Sequence, residues 1–125
     1  MMRAPSGEAV TVLVVDDSDD QRALLREYLE RAGCTVTTVE NAEDAIAEYR
    51  AHEPDLAVID LVLPGMDGWE LAARLRADRP GCAIAITSVL DAATFPTADA
   101  ILPKPFTGAQ VRQVLRDCVP KWSAA

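Results

Sequence analysis

Paired cysteines, basic residues and long apolar runs are what this sequence is short of, and each shortage removes a class of function. Cys34, Cys82 and Cys118 stand apart, with no C-x-x-C pair and no histidine nearby. Neither a disulfide framework nor a zinc site is therefore expected, and the thiols read as buried and free in a reducing cytosol. Twelve Lys and Arg residues face 20 Asp and Glu, for a net charge of −8 and a pI near 4.5. Direct nucleic-acid binding needs a basic surface to neutralise phosphates, and so does docking on anionic membranes; both are excluded. No apolar run approaches the roughly 18 residues of a membrane span. The opening MMRAPSGEA has no apolar core, so it is not read as a signal peptide. The expectation is a cytoplasmic, soluble protein without repeats, linkers or low-complexity segments.

What is present suits one domain. At 125 residues, 50% hydrophobic and 26% charged, the chain can bury roughly two thirds of its unfolded surface. Residues 10–119 are read as the domain, with a flexible N-terminus over 1–9 and a frayed tail over 120–125. Short apolar runs alternate with helical patterns. VTVLVV (10–15) is continuous and apolar, as in a strand buried on both faces. SDDQRALLREYLERAG follows with Ser18 as N-cap, a stripe of Leu24, Leu25, Tyr28 and Leu29, and Gly33 as the stop. CTVTTV is a half-exposed strand. A helix then starts on Asn41 and ends by Pro54, leaving the single histidine, His52, on the solvent side of its last turn.

DLAVID (55–60) is a third strand and LVLPGMDG a loop. WELAARLRAD is a helix, CAIAIT and AILP are strands, and TGAQVRQVLRDCV closes as a helix with Val111, Val114, Leu115 and Cys118 facing inward. Such alternation calls for a parallel sheet covered on both faces. Between the last two strands SVLDAATFPTADA is too short for a full helix with two loops, and Pro96 breaks it. The fourth crossover helix is expected short or absent.

The chemistry collects at strand ends. Asp16 and Asp17 close the first strand, Asp60 the third, Thr87 the fourth, and Lys104 follows the fifth. In an open parallel sheet, ligands gather beyond the carboxyl ends of the strands, so these side chains share one crevice. Carboxylates with one ammonium suit a divalent cation and a phosphoryl group. Magnesium takes oxygen ligands, one or two carboxylates plus a phosphate. Asp17 and Asp60 are the preferred direct ligands, with Asp16 direct or through water. Asp60 could serve as a nucleophile forming an aspartyl phosphate, Lys104 as a point charge on the phosphate, and Thr87 as a hydroxyl donor. Asp19 and Asp20 are explained well enough as acids complementing a helix N-terminus.

VLVVDDS, DLAVIDLVLPGMDG, IAITS and ILPKPF together resemble the signature segments of two-component response-regulator receiver domains, over about Thr11 to Val119. The resemblance implies a flavodoxin-like, doubly wound (βα)5 fold of CheY-like type, with parallel sheet order 2-1-3-4-5. It implies that Asp60 is the phosphoacceptor for a histidine kinase or histidine phosphotransferase. It further implies that Asp16, Asp17, Asp60 and the backbone carbonyl of Val62 hold Mg²⁺, that Thr87 and Lys104 contact the phosphoryl group, and that the Lys104–Pro105 bond is cis. No output domain follows Trp122, so a stand-alone regulator acting on a downstream protein target is expected. Three positions depart from the family or tune it. Ile101 stands where an aromatic is common, which supports an alternative reading as a pseudo-receiver, an interaction module working without phosphorylation. Val62 and Val89 flank the phosphate with apolar side chains that cannot orient water, so a long-lived phosphoryl group is expected. A haloacid-dehalogenase-type phosphatase would need an acid two positions beyond the nucleophile; Val62 is there instead. Trp69 is left as a core or partner contact, and Trp122 as an exposed remnant or a docking residue of the tail.

Overall fold

The computed structural model describes residues 9–88 and 98–122. Strand and helix alternate through β1 (Thr11–Val15), α1 (Asp19–Arg31), β2 (Thr35–Val39), α2 (Ala42–Ala51), β3 (Leu56–Asp60), α3 (Gly68–Asp78), β4 (Ala83–Ser88), β5 (Ala100–Pro103) and α4 (Gly108–Cys118). The strands form one parallel sheet in the order β2-β1-β3-β4-β5. This is the flavodoxin-like arrangement expected from the resemblance. The expected shortening of the fourth crossover concerns mainly residues 89–97, which lie outside the described residues, as do Val89 and Pro96.

The continuous apolar strands are explained by a core on each face of the sheet. Successive side chains of a strand point to opposite faces. Val12 and Val14 accordingly join Leu25, Leu29, Val111 and Leu115 on the α1/α4 side. Leu13 and Val15 join Ala45, Tyr49, Leu71 and Leu75 on the α2/α3 side. β2 lies at the sheet edge, and its threonines are only partly covered. On α4 the inward stripe is Val111, Val114 and Leu115; Cys118 is half-buried, so the expectation of three buried thiols holds only for Cys34 and Cys82. Burial pushes the Cys34 thiol up to about 11 and Cys82 up to about 12, so both stay protonated at neutral pH.

The helix signals act where the sequence puts them. The Ser18 and Asn41 side chains accept the Gln21 and Asp44 N–H groups. Thr107 and Gln110 form a reciprocal capping box at α4. Gly33 takes φ +94°, a conformation that favours glycine. His52 is the exposed C-cap of α2.

The amino ends of the strands are tied by charged side chains. Thr11 N donates to Asp55 Oδ2 at 2.8 Å, and the same oxygen pairs with Lys121 Nζ at 3.3 Å. One crossover later, Ile84 N donates to Asp99 Oδ2 at 2.8 Å, which pairs with Arg76 at 2.7 Å. Arg79 reaches from the end of α3 to the carbonyls of Tyr49 and Arg50 at 3.2 and 3.1 Å, satisfying orphan acceptors in the last turn of α2. The tail, expected to fray from residue 120, is instead pinned at Trp122. Its indole Nε1 donates to Ala32 O at 2.9 Å, its ring packs against the α1/α4 core, and Arg116 lies 6.0 Å from the ring centre.

Candidate functional site

Register brings the strand-end residues together. Val15 pairs with Ile59 across β1 and β3, so the next residues, Asp16 and Asp60, leave the sheet side by side. Asp60 itself pairs with Thr87 across β3 and β4. Thr87 pairs with Leu102 across β4 and β5, and Lys104 emerges two residues on. The Lys104–Pro105 bond is cis, as the resemblance implies.

The resulting pocket is a mixed ionic cluster. Lys104 Nζ is 3.3 Å from Asp60 Oδ2 and 3.7 Å from Asp16 Oδ2. The second distance is in ion-pair range and too long for a hydrogen bond. Asp60 Oδ1 accepts the Val62 N–H at 3.1 Å, and Asp16 Oδ1 accepts the Ser18 N–H at 2.9 Å. Asp16 and Asp60 are buried while Asp17 is exposed. One carboxylate oxygen from each of the three lies within 4.8 Å of the others. Asp16 and Asp17, adjacent in sequence, thus both lean into the crevice.

Three carboxylates and one ammonium leave the cluster short of positive charge. Burial, with added repulsion from Asp60, holds the Asp16 carboxyl above its ordinary range against the opposing pull of the Ser18 N–H and Lys104. Two buried polar atoms here have no hydrogen-bond partner, Asp16 Oδ2 and Thr87 Oγ1. Buried polar groups normally find partners, so orphaned ones at a strand-end cleft point to a ligand. A hard divalent cation fits this donor set: all oxygen, anionic, and open on the Asp17 side.

The loop between β3 and α3 is fixed by backbone contacts. Leu61 N donates to Thr87 O at 3.2 Å, and Gly68 N donates to Leu61 O at 2.9 Å. Gly65 turns the loop at φ +75°. Gly68 matters for a different reason. A Cβ there would sit 2.4 Å from Asp60 O and 2.7 Å from Leu61 Cα. Reading the LVLPGMDG segment as turn chemistry missed this close approach. The loop leaves Val62 exposed, at 70% of its full surface, beside the cluster. Trp69 is half-buried against the α2/α3 core, and Ile101 packs on the same side.

A model of the response regulator receiver domain matches residues 12–116. The chain belongs to that family. As a receiver domain it is 34% identical over 115 residues to the chemotaxis protein CheY of Halobacterium salinarum, covering 87% of this chain and 96% of that one. It is 37% identical over 103 residues to the transcriptional regulatory protein TcrA of Mycobacterium tuberculosis, covering 78% of this chain and 41% of that one. The receiver spans about half or less of the length of several such relatives, 24% in the case of a protein-glutamate methylesterase of Natronomonas pharaonis. Among solved structures, the signal receiver domain of a modulated diguanylate cyclase from Desulfovibrio desulfuricans shares 31% identity at a TM-score of 0.79, covering 90% of this chain and 95% of that one. A receiver domain protein from Methanospirillum hungatei reaches 0.84 at 23% identity over 91% of this chain and 96% of its own, a likeness of fold alone. Receiver domains are two-component signalling modules. Among the described residues, no helix is long and apolar enough to cross a membrane.

Proposed function

We propose that this receiver, over residues 10–119, accepts a phosphoryl group on Asp60 from the phosphohistidine of a histidine kinase or histidine phosphotransferase, and thereby switches contacts with a downstream protein. In the transfer an Asp60 carboxylate oxygen attacks phosphorus. The P–N bond breaks and its electron pair leaves with the imidazole. The observation that carries the reading is the placement of Asp60: buried, 3.3 Å from Lys104 Nζ, and within 4.8 Å of ligand oxygens of Asp16 and Asp17.

Each neighbour then has a task. Asp16, Asp17, Asp60 and the carbonyl of Val62 would hold Mg²⁺, which would supply positive charge to offset that of the phosphoryl oxygens beside the Asp60 carboxylate. Lys104 already faces Asp60 and stays as a point charge when a phosphoryl group arrives. The Thr87 hydroxyl, buried without a partner, has a proton to donate to a phosphoryl oxygen. Phosphorylation adds about −1.5 to −2 charges at pH 7, a load that the loops after β3 and β4 must accommodate. Val62 offers no side-chain donor or acceptor to steer a hydrolytic water, in keeping with a long-lived phosphoryl group. A domain of this surface charge meets a protein partner rather than nucleic acid.

Intact mass after incubation with acetyl phosphate and Mg²⁺ tests the reading. Wild type gains one phosphoryl group, and Asp60→Asn gains none. Ile101 in place of an aromatic favours a second reading, the pseudo-receiver that binds its partner irrespective of phosphorylation. No mass gain in wild type, together with no Mg²⁺ binding, would decide for that alternative.

A further inference from the structure

All but one of the polar atoms of Asp16 are committed. Its N–H donates to Val39 O at 3.2 Å, its Oδ1 accepts from Ser18 N at 2.9 Å, and its carbonyl accepts from Arg22 Nη1 at 2.6 Å. Oδ2 alone has no hydrogen bond, and this is the atom that faces Lys104. The carbonyl contact reaches back six residues, from the first turns of α1 to the residue just after β1. That stretch has neither ladder nor helix to fix its peptide plane. A guanidinium can lock it, since its planar fork donates in two fixed directions. The second direction is also used: Arg22 Nη2 pairs with the exposed Asp19. The Arg22 side chain is 16% exposed although it belongs to a solvent-facing helix start.

We propose that Arg22 is a positioning residue for the divalent-cation site. By clamping the Asp16 carbonyl, it keeps the Asp16 carboxylate in reach of those of Asp17 and Asp60. This inference rests on the cation-binding reading above. It carries a sign that separates it from simple electrostatics. A guanidinium beside an acidic cluster repels an incoming cation, so by charge alone its removal should tighten Mg²⁺ binding. By positioning, removal should loosen it. Partners that orient metal ligands from behind typically matter by tenfold to a hundredfold in affinity.

Calorimetric Mg²⁺ binding, with the metal alone, distinguishes the two. Arg22→Met keeps the aliphatic stem and the helix propensity but removes the donors and the charge. Arg22→Lys keeps the charge and a single donor nitrogen but loses the planar fork. The metal-free melting temperature of each variant separates loss of fold from loss of positioning. Arg22→Met is expected to weaken Mg²⁺ by about tenfold or more, with Arg22→Lys regaining a substantial part. Arg22→Gln replaces Arg22→Met if the latter does not fold. Binding in Arg22→Met as tight as wild type or tighter overturns the clamp. Equal weakening in Arg22→Met and Arg22→Lys also overturns it, assigning the loss to a general disturbance of α1. A wild type that binds no Mg²⁺ removes the underlying cation reading, and the clamp with it; a wild type that binds while Arg22 variants match it removes the clamp alone.

Discussion

Gly68→Ala sets two well-understood effects against each other, and the structure says which wins. Gly68 is the first residue of α3 and its φ is not positive. Helix propensity therefore predicts a gain of up to about 1 kcal/mol for alanine. The new Cβ, however, would lie 2.4 Å from Asp60 O, 2.7 Å from Leu61 Cα and 2.9 Å from Leu61 O. All three are backbone atoms, and no side-chain rotation can relieve them. Overpacking costs about 1–3 kcal/mol, and contacts this short against β3 lie at the upper end of that range. The net expectation is a loss of about 2 kcal/mol. With about 2.1 cal/mol/K of unfolding entropy per residue over 125 residues, each kcal/mol shifts the melting temperature by about 4 °C, so a fall of about 8 °C is expected. Because the obstructed atoms belong to Asp60 and the residue after it, acetyl phosphate labelling should slow as well. Gly81→Ala is the control: nothing lies within 4 Å of its Cβ, and its melting temperature should stay level or rise slightly. Differential scanning calorimetry of both variants checks the reasoning. An unchanged or raised melting temperature for Gly68→Ala would refute it.

Two further expectations concern charge. Asp16→Asn removes a carboxylate that burial disfavours, so in metal-free buffer its melting temperature should exceed that of wild type. The same change should abolish the Mg²⁺-dependent rise, and thermal scans with and without Mg²⁺ that moved wild type and variant alike would contradict this. Cys34 and Cys82 have thiols raised from 9.0 to about 11 and about 12, so the unfolded chain releases these protons first. The stability they contribute is intact below pH 9 and is lost as pH rises toward those values. The urea midpoint should thus fall steadily above pH 9, and Ellman's reagent at pH near 8 should label Cys118 before either. Ready labelling of Cys82 in the native protein would count against its burial.

The sheet was legible because β1, β3 and β4 are largely apolar up to their carboxyl ends, as burial on both faces requires, and because strands alternate with helices. The pocket was legible because its polar residues interrupt those runs at their carboxyl ends, as Asp16 ends VTVLVV and Asp60 ends DLAVI. Caps were readable at Ser18 and Asn41 because the interaction spans three residues of sequence. What stayed hidden depends on distances between elements. Gly68 looked like ordinary turn chemistry, and nothing local says that a backbone passes beneath it. Nothing in the sequence around Asp55 and Asp99 marks them, yet each accepts a strand N–H and an ion pair. Trp122 read as a loose tail because its partner, the Ala32 carbonyl, is 90 residues away.

The tied amino end of the sheet gives the molecule a fixed datum. Asp55 with Lys121, Asp99 with Arg76, and Arg79 with the end of α2 all lie opposite the acidic crevice. None of them shares an atom with Asp16, Asp17, Asp60 or Lys104. Perturbing the crevice therefore leaves these anchors intact, much as a beam clamped at one end deflects only toward the other. On the proposed function, displacement caused by new charge in the crevice is expected in the loops there and in whatever rests on them.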